Sequence, residues 1–126
     1  MKLNCKRAFF AMFYLLDTYF DNGYEGDLGG LLGSINPFLF DGEMPADLAT
    51  YDVWKSCIDE LNGGKCDGLS VDVAYNAVIK FLEFFSTKFE FDLQVIINDM
   101  KNHRIFDGSV DKIWSQCVEK ALKNNR

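Results

Sequence analysis

Few residues of this chain combine the side-chain type and the spacing that catalysis requires. His103 is the single histidine, which excludes a metal site built on a histidine pair. Its neighbours Asn102 and Arg104 lie at a predicted helix end, where an exposed or capping histidine is the simpler interpretation. Asp59 and Glu60 are adjacent, so on a helix their carboxylates point in different directions and make a weak general acid–base pair. The sequence therefore predicts a protein that is not an enzyme, with no cofactor and no bound metal.

The four cysteines, Cys5, Cys57, Cys66 and Cys117, admit more than one chemistry. A domain of this size can bury a core without disulfides, and most of these cysteines fall at apolar-periodic positions. Buried free thiols in a reducing cytoplasm are therefore the favoured interpretation. A Cys57–Cys66 disulfide stays open if the glycine turn at 63–64 brings the two together. The spacing is too wide for a tetrathiolate zinc site, and no local signature supports a cysteine–histidine nucleophile.

A glycine-rich run covers residues 26–33. It lacks the closing Gly-Lys-Ser/Thr of a phosphate-binding loop, and no strand precedes it. Gly29, Gly30 and Gly33 are instead expected to let another helix approach closely, at a cost of about 1 kcal/mol each in helix propensity. The oxygen-bearing residues at 21–27 do not have the spacing of a calcium-binding loop, so no calcium site is predicted.

The elements that must position these residues are predicted to be helices. The chain has 126 residues, 48% of them hydrophobic, with twelve Phe and only two Pro. This composition supplies enough apolar matter for one core and favours long uninterrupted helices. The expected fold is all-α, a compact bundle of about five or six helices in one domain, 1–126, which allows a short irregular segment near 86–92. Helices are predicted at 3–20, 27–35 and 47–61, from 71 onward, near 93–100 and at 109–123.

Three stretches leave an alternative open. The apolar run 8–16 follows Lys2, Lys6 and Arg7 and imitates a signal peptide. It is too short to span a bilayer and no cleavage site follows it, so a core helix is favoured. Residues 86–88 are expected to break or kink the fourth helix. At 89–97 apolar and polar residues alternate as in a strand, but no second alternating run offers a pairing partner, so a helix is favoured.

Charge is the most informative property of the sequence. The formal net charge is −6, which disfavours nucleic-acid binding because phosphate recognition needs a basic surface. Residues 1–16 contain three bases and no acid, residues 17–60 contain ten acids and only Lys55 as a base, and residues 61–126 contain nine of each. The central stretch is interpreted either as a solubilising acidic face or as a surface for a basic protein partner. Such a field speeds association and selects the partner's charge.

The second interpretation defines a candidate partner-binding surface. The aromatic residues of segment 38–40 lie within the acidic stretch, either as a lid on the core or as apolar anchors inside an acidic rim, the layout of an interface hot spot. No membrane contact is expected, and the oligomeric state stays open. The residues predicted to bind the partner are Asp21, Glu25, Asp27, Phe38, Phe40, Asp41, Glu43, Asp47, Asp52 and Asp59.

The same stretch resembles a known class of proteins. The run DLGGLLG at 27–33, the run DGEMPAD at 41–47 and Trp54 before an acidic helix are similar to a pattern in small acidic bacterial immunity proteins. These are the partners of polymorphic and contact-dependent growth-inhibition toxins, and the resemblance covers about the first half of the chain. It implies a cytoplasmic inhibitor that binds the toxin domain of a sibling cell; many such toxins are nucleases with basic faces. An acidic interaction or adaptor domain of another bacterial pathway is the alternative.

Overall fold

The computed structural model describes residues 2–23, 27–35, 48–105 and 108–123. Within them the chain forms six helices and four two-residue strands, which confirms the predicted all-α class. The helices are α1 (Cys5–Asp21), α2 (Leu28–Ile35), α3 (Leu48–Asn62), α4 (Val71–Lys88), α5 (Gln94–Lys101) and α6 (Val110–Lys123). The strands are β1 (Lys2–Leu3), β2 (Leu69–Ser70), β3 (Arg104–Ile105) and β4 (Gly108–Ser109).

Helix α1 lies at the centre of the bundle and contacts α2, α3 and α6. Every residue at 8–16 is buried, so this part of the helix is apolar on all sides, as a helix surrounded by others must be. Asn4 begins it: the Asn4 side chain accepts a hydrogen bond of 2.7 Å from the Arg7 backbone N–H, a typical N-cap. The apolar run is thus a core helix, as predicted. No helix in the described ranges is long and apolar enough to cross a membrane.

Three aromatic rings fill the core where α1, α3 and α4 meet. The ring centroid of Phe9 lies 5.9 Å from that of Trp54 and 6.4 Å from that of Phe81, and Trp54 and Phe81 are 5.9 Å apart. All three pairs are edge-to-face, an arrangement that aromatic quadrupoles favour. The Trp54 indole Nε1 donates a hydrogen bond of 2.9 Å to the Cys5 carbonyl oxygen, so the buried indole N–H is satisfied.

A disulfide fixes the N-terminal end of α1. Cys5 is bonded to Cys66, with a Cα–Cα distance of 4.9 Å, and the Cys5 backbone N–H donates a hydrogen bond of 2.8 Å to the Cys66 carbonyl. Next to it, β1 pairs antiparallel with β2. Cys57 and Cys117 are free and buried. The expectation of four free thiols is therefore wrong, and so is the alternative Cys57–Cys66 pair. Strands of two residues leave no periodic signal, so the pairing of residues 2–5 with 66–70 could not be predicted.

The end of α4 differs from the prediction. The expected break at 86–88 is wrong, because α4 stays helical to Lys88, whose ammonium complements the C-terminal end of the helix dipole. The irregular segment lies at 89–93. Its turn is held by the Phe85 carbonyl, which accepts hydrogen bonds from the N–H groups of Phe89 and Phe91 at 3.1 and 3.3 Å. The helix favoured at 89–97 is therefore present only from Gln94 onward.

Among the described residues, no helix packs closely against Gly30 or Gly33 of α2. A Cβ placed on Gly30 or Gly33 would meet no described atom within 4 Å, and one on Gly29 would meet only the Phe20 ring, at 3.4 Å. Contact with the core comes instead from the buried side chains on the opposite face, Leu28, Leu31 and Ile35. The predicted close approach of a second helix is therefore not made by any described helix at Gly30 or Gly33.

Candidate partner-binding surface

Two of the predicted partner-binding residues share one face of α3. Asp52 and Asp59 are seven residues apart, which is about two helical turns, and both are exposed. Lys55 lies between them, with its Nζ 3.7 Å from the Asp52 carboxylate in a pair whose side chains are largely solvent-accessible. Such an exposed pair contributes little to stability. Both carboxylates are thus accessible to another molecule.

Asp27 is exposed and also has a structural role. Its carboxylate Oδ2 accepts a hydrogen bond of 2.5 Å from the backbone N–H of Asp92, and its own N–H donates to the Asp92 carbonyl at 3.4 Å. The Asp27 carbonyl also accepts the first N–H of the α2 ladder, from Leu31. Asp27 therefore joins the start of α2 to the irregular segment 89–93.

Asp21 lies in a polar cleft between α1 and α6, away from α3. The cleft has a volume of about 330 Å³ and is lined in part by Asp17, Asp21 and Lys120. Burial raises the pKa of Asp17, and the nearby Asp21 carboxylate raises it further, while Lys120 opposes both effects. The Lys120 ammonium lies 4.5 Å from the centroid of the Tyr14 ring, in a cation–π contact. The four described acids are thus spread over three places, and their described contacts do not join them into one site.

The other predicted partner-binding residues, Glu25, Phe38, Phe40, Asp41, Glu43 and Asp47, lie outside the described residues.

An apolar cavity that the sequence analysis missed opens between α2, the first turns of α3 and the end of α4. Its volume is about 300 Å³. Four phenylalanines form a continuous ring cluster on one side of the cavity. The ring centroid of Phe89 lies 5.3 Å from that of Phe85 and 6.1 Å from those of Phe84 and Phe91. The lining residues are Leu31, Ala49, Thr50, Val53, Phe84, Phe85, Phe89 and Phe91.

Two rings of this cluster are unusually exposed. Phe89 is 52% and Phe84 37% accessible, although each could bury a large apolar area. Phe85, by contrast, is buried and packs edge-to-face on Phe81, with the ring centroids 4.9 Å apart, which connects the cavity wall to the central aromatic core. The wall is therefore fixed on its inner side and open to solvent on its outer side.

The backbone that carries Phe89 and Phe91 is strained at the residue between them. Glu90 has φ 58°, the left-handed region in which a residue with a Cβ costs about 1 kcal/mol or more. This conformation, with the two N–H bonds to the Phe85 carbonyl, directs both flanking rings into the cavity. The sequence signal is the alternation at 89–97, which indicates a helix or a strand but does not predict a cavity wall.

Cysteine and histidine residues do not combine into a catalytic site. Cys57 lies in a cleft between α3 and α4 with Glu60 and Lys80, and burial, the main cause, raises the pKa of its thiol to about 11. Cys66 is in the disulfide. His103 is 60% exposed; its Nδ1 is 3.0 Å from the Asp111 carboxylate, and its ring stacks on Tyr75 at 5.4 Å. Within the described residues, no three His, Cys, Asp or Glu side chains are placed to hold a metal ion.

In comparisons with known proteins, the chain matches no family model, no curated protein and no solved structure.

Proposed function

We propose that the chain is an immunity protein, which binds a basic toxin domain, of the nuclease type, and covers its active surface. The observation that carries this proposal is the concentration of negative charge at 17–60, where ten acids face a single base. Within that stretch the described carboxylates Asp52 and Asp59 are exposed on one face of α3. The resemblance of the runs at 27–33 and 41–47 to small acidic immunity proteins supports the same assignment.

The charge distribution suits inhibition because the substrate-binding face of a nuclease is basic. An acidic surface attracts such a face over a distance of about a Debye length and raises the association rate. Neutralisation needs tight binding and no turnover, so it asks for no catalytic group. The expected signature is an association rate that falls steeply with ionic strength.

The compartment remains part of the proposal. We propose the cytoplasm, where a toxin delivered from a sibling cell would act. The Cys5–Cys66 disulfide removes the free-thiol argument for that location, because disulfides persist mainly in oxidising compartments. Trapping the thiols with a mass-adding maleimide in intact cells, before lysis, distinguishes a dithiol from a disulfide form of the protein. A dithiol form indicates a reducing compartment such as the cytoplasm, and a disulfide form indicates an oxidising one.

The proposal is tested by co-expressing the chain with the product of the adjacent upstream gene and measuring co-purification and survival of the host cell. Stable complex formation and rescue from toxicity are expected. If that gene product is not toxic and does not bind, the immunity assignment fails, and an adaptor role in another pathway becomes the better explanation.

The electrostatic argument has its own test on the same complex. The double variant Asp52→Lys and Asp59→Lys should slow association by about tenfold at low salt and flatten its salt dependence. Glu119→Lys is the matched control, since Glu119 is exposed on α6 outside the acidic stretch. Equal effects per charge at the two places would mean that net charge, and not the α3 face, governs binding.

A further inference from the structure

The apolar cavity next to α3 has the construction of a preformed binding pocket. Its inner wall, Phe85, is buried and packed on Phe81, whereas its outer wall, Phe84 and Phe89, is exposed. The left-handed Glu90 backbone keeps Phe89 and Phe91 aimed at the cavity. Glu90 follows the C-cap of α4, and the N–H groups of Phe89 and Phe91 close this turn on the Phe85 carbonyl, so the backbone that carries both rings is fixed. A wall that is already ordered loses little side-chain entropy when something binds.

The size of the cavity limits its occupant. About 300 Å³ is at the lower end of the range for small-molecule pockets, roughly 300–1,000 Å³. Its described lining offers one polar side chain, the Thr50 hydroxyl, among aromatic and aliphatic groups. This is enough room for one large apolar side chain but offers little to orient a polar cofactor.

The charges beside the cavity define the chemistry around that side chain. Glu90 and Asp92 alternate with the lining residues Phe89 and Phe91, and Asp52 precedes the lining residue Val53. Asp27 is bonded to Asp92 and adds a fourth exposed carboxylate. The described cations next to the lining residues are Lys88 and, paired with Asp52, Lys55. Exposed acids therefore outnumber bases among the residues next to the lining, and one of them, Asp52, also belongs to the exposed face of α3.

We propose that this pocket receives a single aromatic side chain of the partner protein, flanked by lysine or arginine residues. An apolar anchor seated in a desolvated pocket inside a charged border is the usual form of an interface hot spot. The inference rests on the proposed function, because it takes a basic protein as the partner. It adds where the partner's central side chain binds and what kind of side chain it is. The rings of Phe84 and Phe89 pack against the partner's aromatic side chain, and the carboxylates of Glu90 and Asp52 attract the flanking cations.

The test uses short peptides as probes, because it then requires no toxin. Acetyl-Lys-Lys-Trp-Lys-Lys-amide is titrated into the isotopically labelled chain and followed by amide chemical shifts. We expect saturable shifts confined to the segments that line the cavity. Two control peptides separate the contributions: Glu in place of every Lys removes the charge match, and Ala in place of Trp removes the anchor. Each should bind at least about fivefold more weakly.

Variants of the chain locate the binding site. Phe84→Ser and Phe89→Ser each remove a partly exposed ring, so the fold should survive. Each should lower the affinity for the tryptophan peptide by at least about fivefold. Phe20→Ser is the matched control, because Phe20 is 48% exposed but does not line the cavity. Glu90→Gln keeps the side-chain size and should weaken binding by about two- to fivefold at low salt, with the difference shrinking as salt is raised.

Several results would overturn the proposal. Equal binding of the lysine and glutamate peptides, or of the tryptophan and alanine peptides, would do so. Free indole binding as tightly as the peptide at every salt concentration would indicate a small-ligand pocket instead. A dimer that Phe89→Ser dissociates would make a second copy the occupant. Binding that is seen only after Phe38→Ser and Phe40→Ser would mean that the chain's own 36–47 segment competes for the cavity.

The outcomes are separable from those of the proposed function. If a cognate toxin binds but Phe84→Ser and Phe89→Ser leave its affinity unchanged, the pocket assignment fails and the immunity assignment stands. If the peptide binds at the cavity but no neighbouring toxin exists, the pocket assignment stands and the immunity assignment fails.

Discussion

The indole Nε1 of Trp54 donates a 2.9 Å hydrogen bond to the carbonyl oxygen of Cys5, a residue 49 positions earlier in the chain. The same Cys5 is bonded through its sulfur to Cys66 and through its N–H to the Cys66 carbonyl. The central tryptophan of the core and the disulfide at its edge thus share one backbone residue. The environment of Trp54 should therefore report on the redox state of the Cys5–Cys66 pair.

Reduction of this disulfide is expected to lower the free energy of unfolding by about 2–4 kcal/mol, because the bond constrains a long loop in the unfolded chain. Urea denaturation is followed by tryptophan fluorescence with and without dithiothreitol. The Trp114→Phe background makes Trp54 the only emitter. Cys5→Ser in that background should be insensitive to dithiothreitol. If the parent is equally insensitive, the two cysteines are not bonded.

The number of cysteines that iodoacetamide modifies should depend on whether the protein is native, denatured, or denatured and reduced. Cys57 and Cys117 are buried, and burial raises the pKa of their thiols to about 11 and about 12. The reactive thiolate is therefore scarce at neutral pH and shielded from reagents. Brief treatment with iodoacetamide is expected to give no adduct on the native protein, two after denaturation, and four after denaturation with reduction, as counted by mass spectrometry. Rapid modification of the native protein would contradict the burial of both thiols.

Replacing exposed glycines of α2 should stabilise the protein. Gly30→Ala and Gly33→Ala add a Cβ where no described atom lies within 4 Å, and each removes backbone freedom from the unfolded chain, a gain of about 0.5–1 kcal/mol. Gly64→Ala is the control, since Gly64 has φ +82° and the same change there should be destabilising. Thermal unfolding measures all three. A loss of stability at Gly30 or Gly33 would show that these positions are closely packed after all.

Neutralising Asp17 should stabilise the protein at pH 7. Burial, and then the Asp21 carboxylate, raise the pKa of Asp17 above its ordinary value of 3.8, so the ionised form is disfavoured in the folded state. Because the folded-state pKa of this acid is the higher one, the wild type gains stability as the pH falls through it. The advantage of Asp17→Asn should therefore be largest above the raised pKa and should vanish below about pH 4.

The measurement for Asp17 is the unfolding midpoint of wild type and variant between pH 3 and pH 8. Asp59→Asn makes the same charge change at an exposed position of α3 and controls for the general relief of negative charge in an acidic protein. If both variants gain equally, the effect comes from net charge and not from the α1–α6 cleft.

Most of the fold could be predicted from helical periodicity. The apolar face of α4 and the all-round apolarity of residues 8–16 are local patterns, and the structure confirms them. The Cys5–Cys66 bond could not be read in this way, because it depends on which of several loops returns to the start of α1, a long-range property. An irregular segment was expected near 86–92, but its conformation at 89–93 could not be predicted, because it depends on bonds to the Phe85 carbonyl and to the distant Asp27.

The candidate site was predicted less well than the fold. Charge counting identified Asp52 and Asp59, which are exposed, but it could not separate them from Asp27, whose carboxylate is bonded to the Asp92 N–H. A charge count treats every carboxylate alike, whereas the hydrogen-bond partner decides its role. Phe84 and Phe89 were assigned to no surface, because most aromatic residues are buried and only the packing of the fold determines which rings stay exposed.

The bond between Cys5 and Cys66 also governs how fragments of this protein behave. Hydrolysis of one peptide bond anywhere between these two cysteines leaves both pieces covalently attached through sulfur. On a gel run without reductant, a molecule nicked inside that loop would migrate close to the intact chain, and its two halves would separate only after reduction. An enzyme that clips the first half could thus leave the protein in one piece, with α1 still seated against α3, α4 and α6.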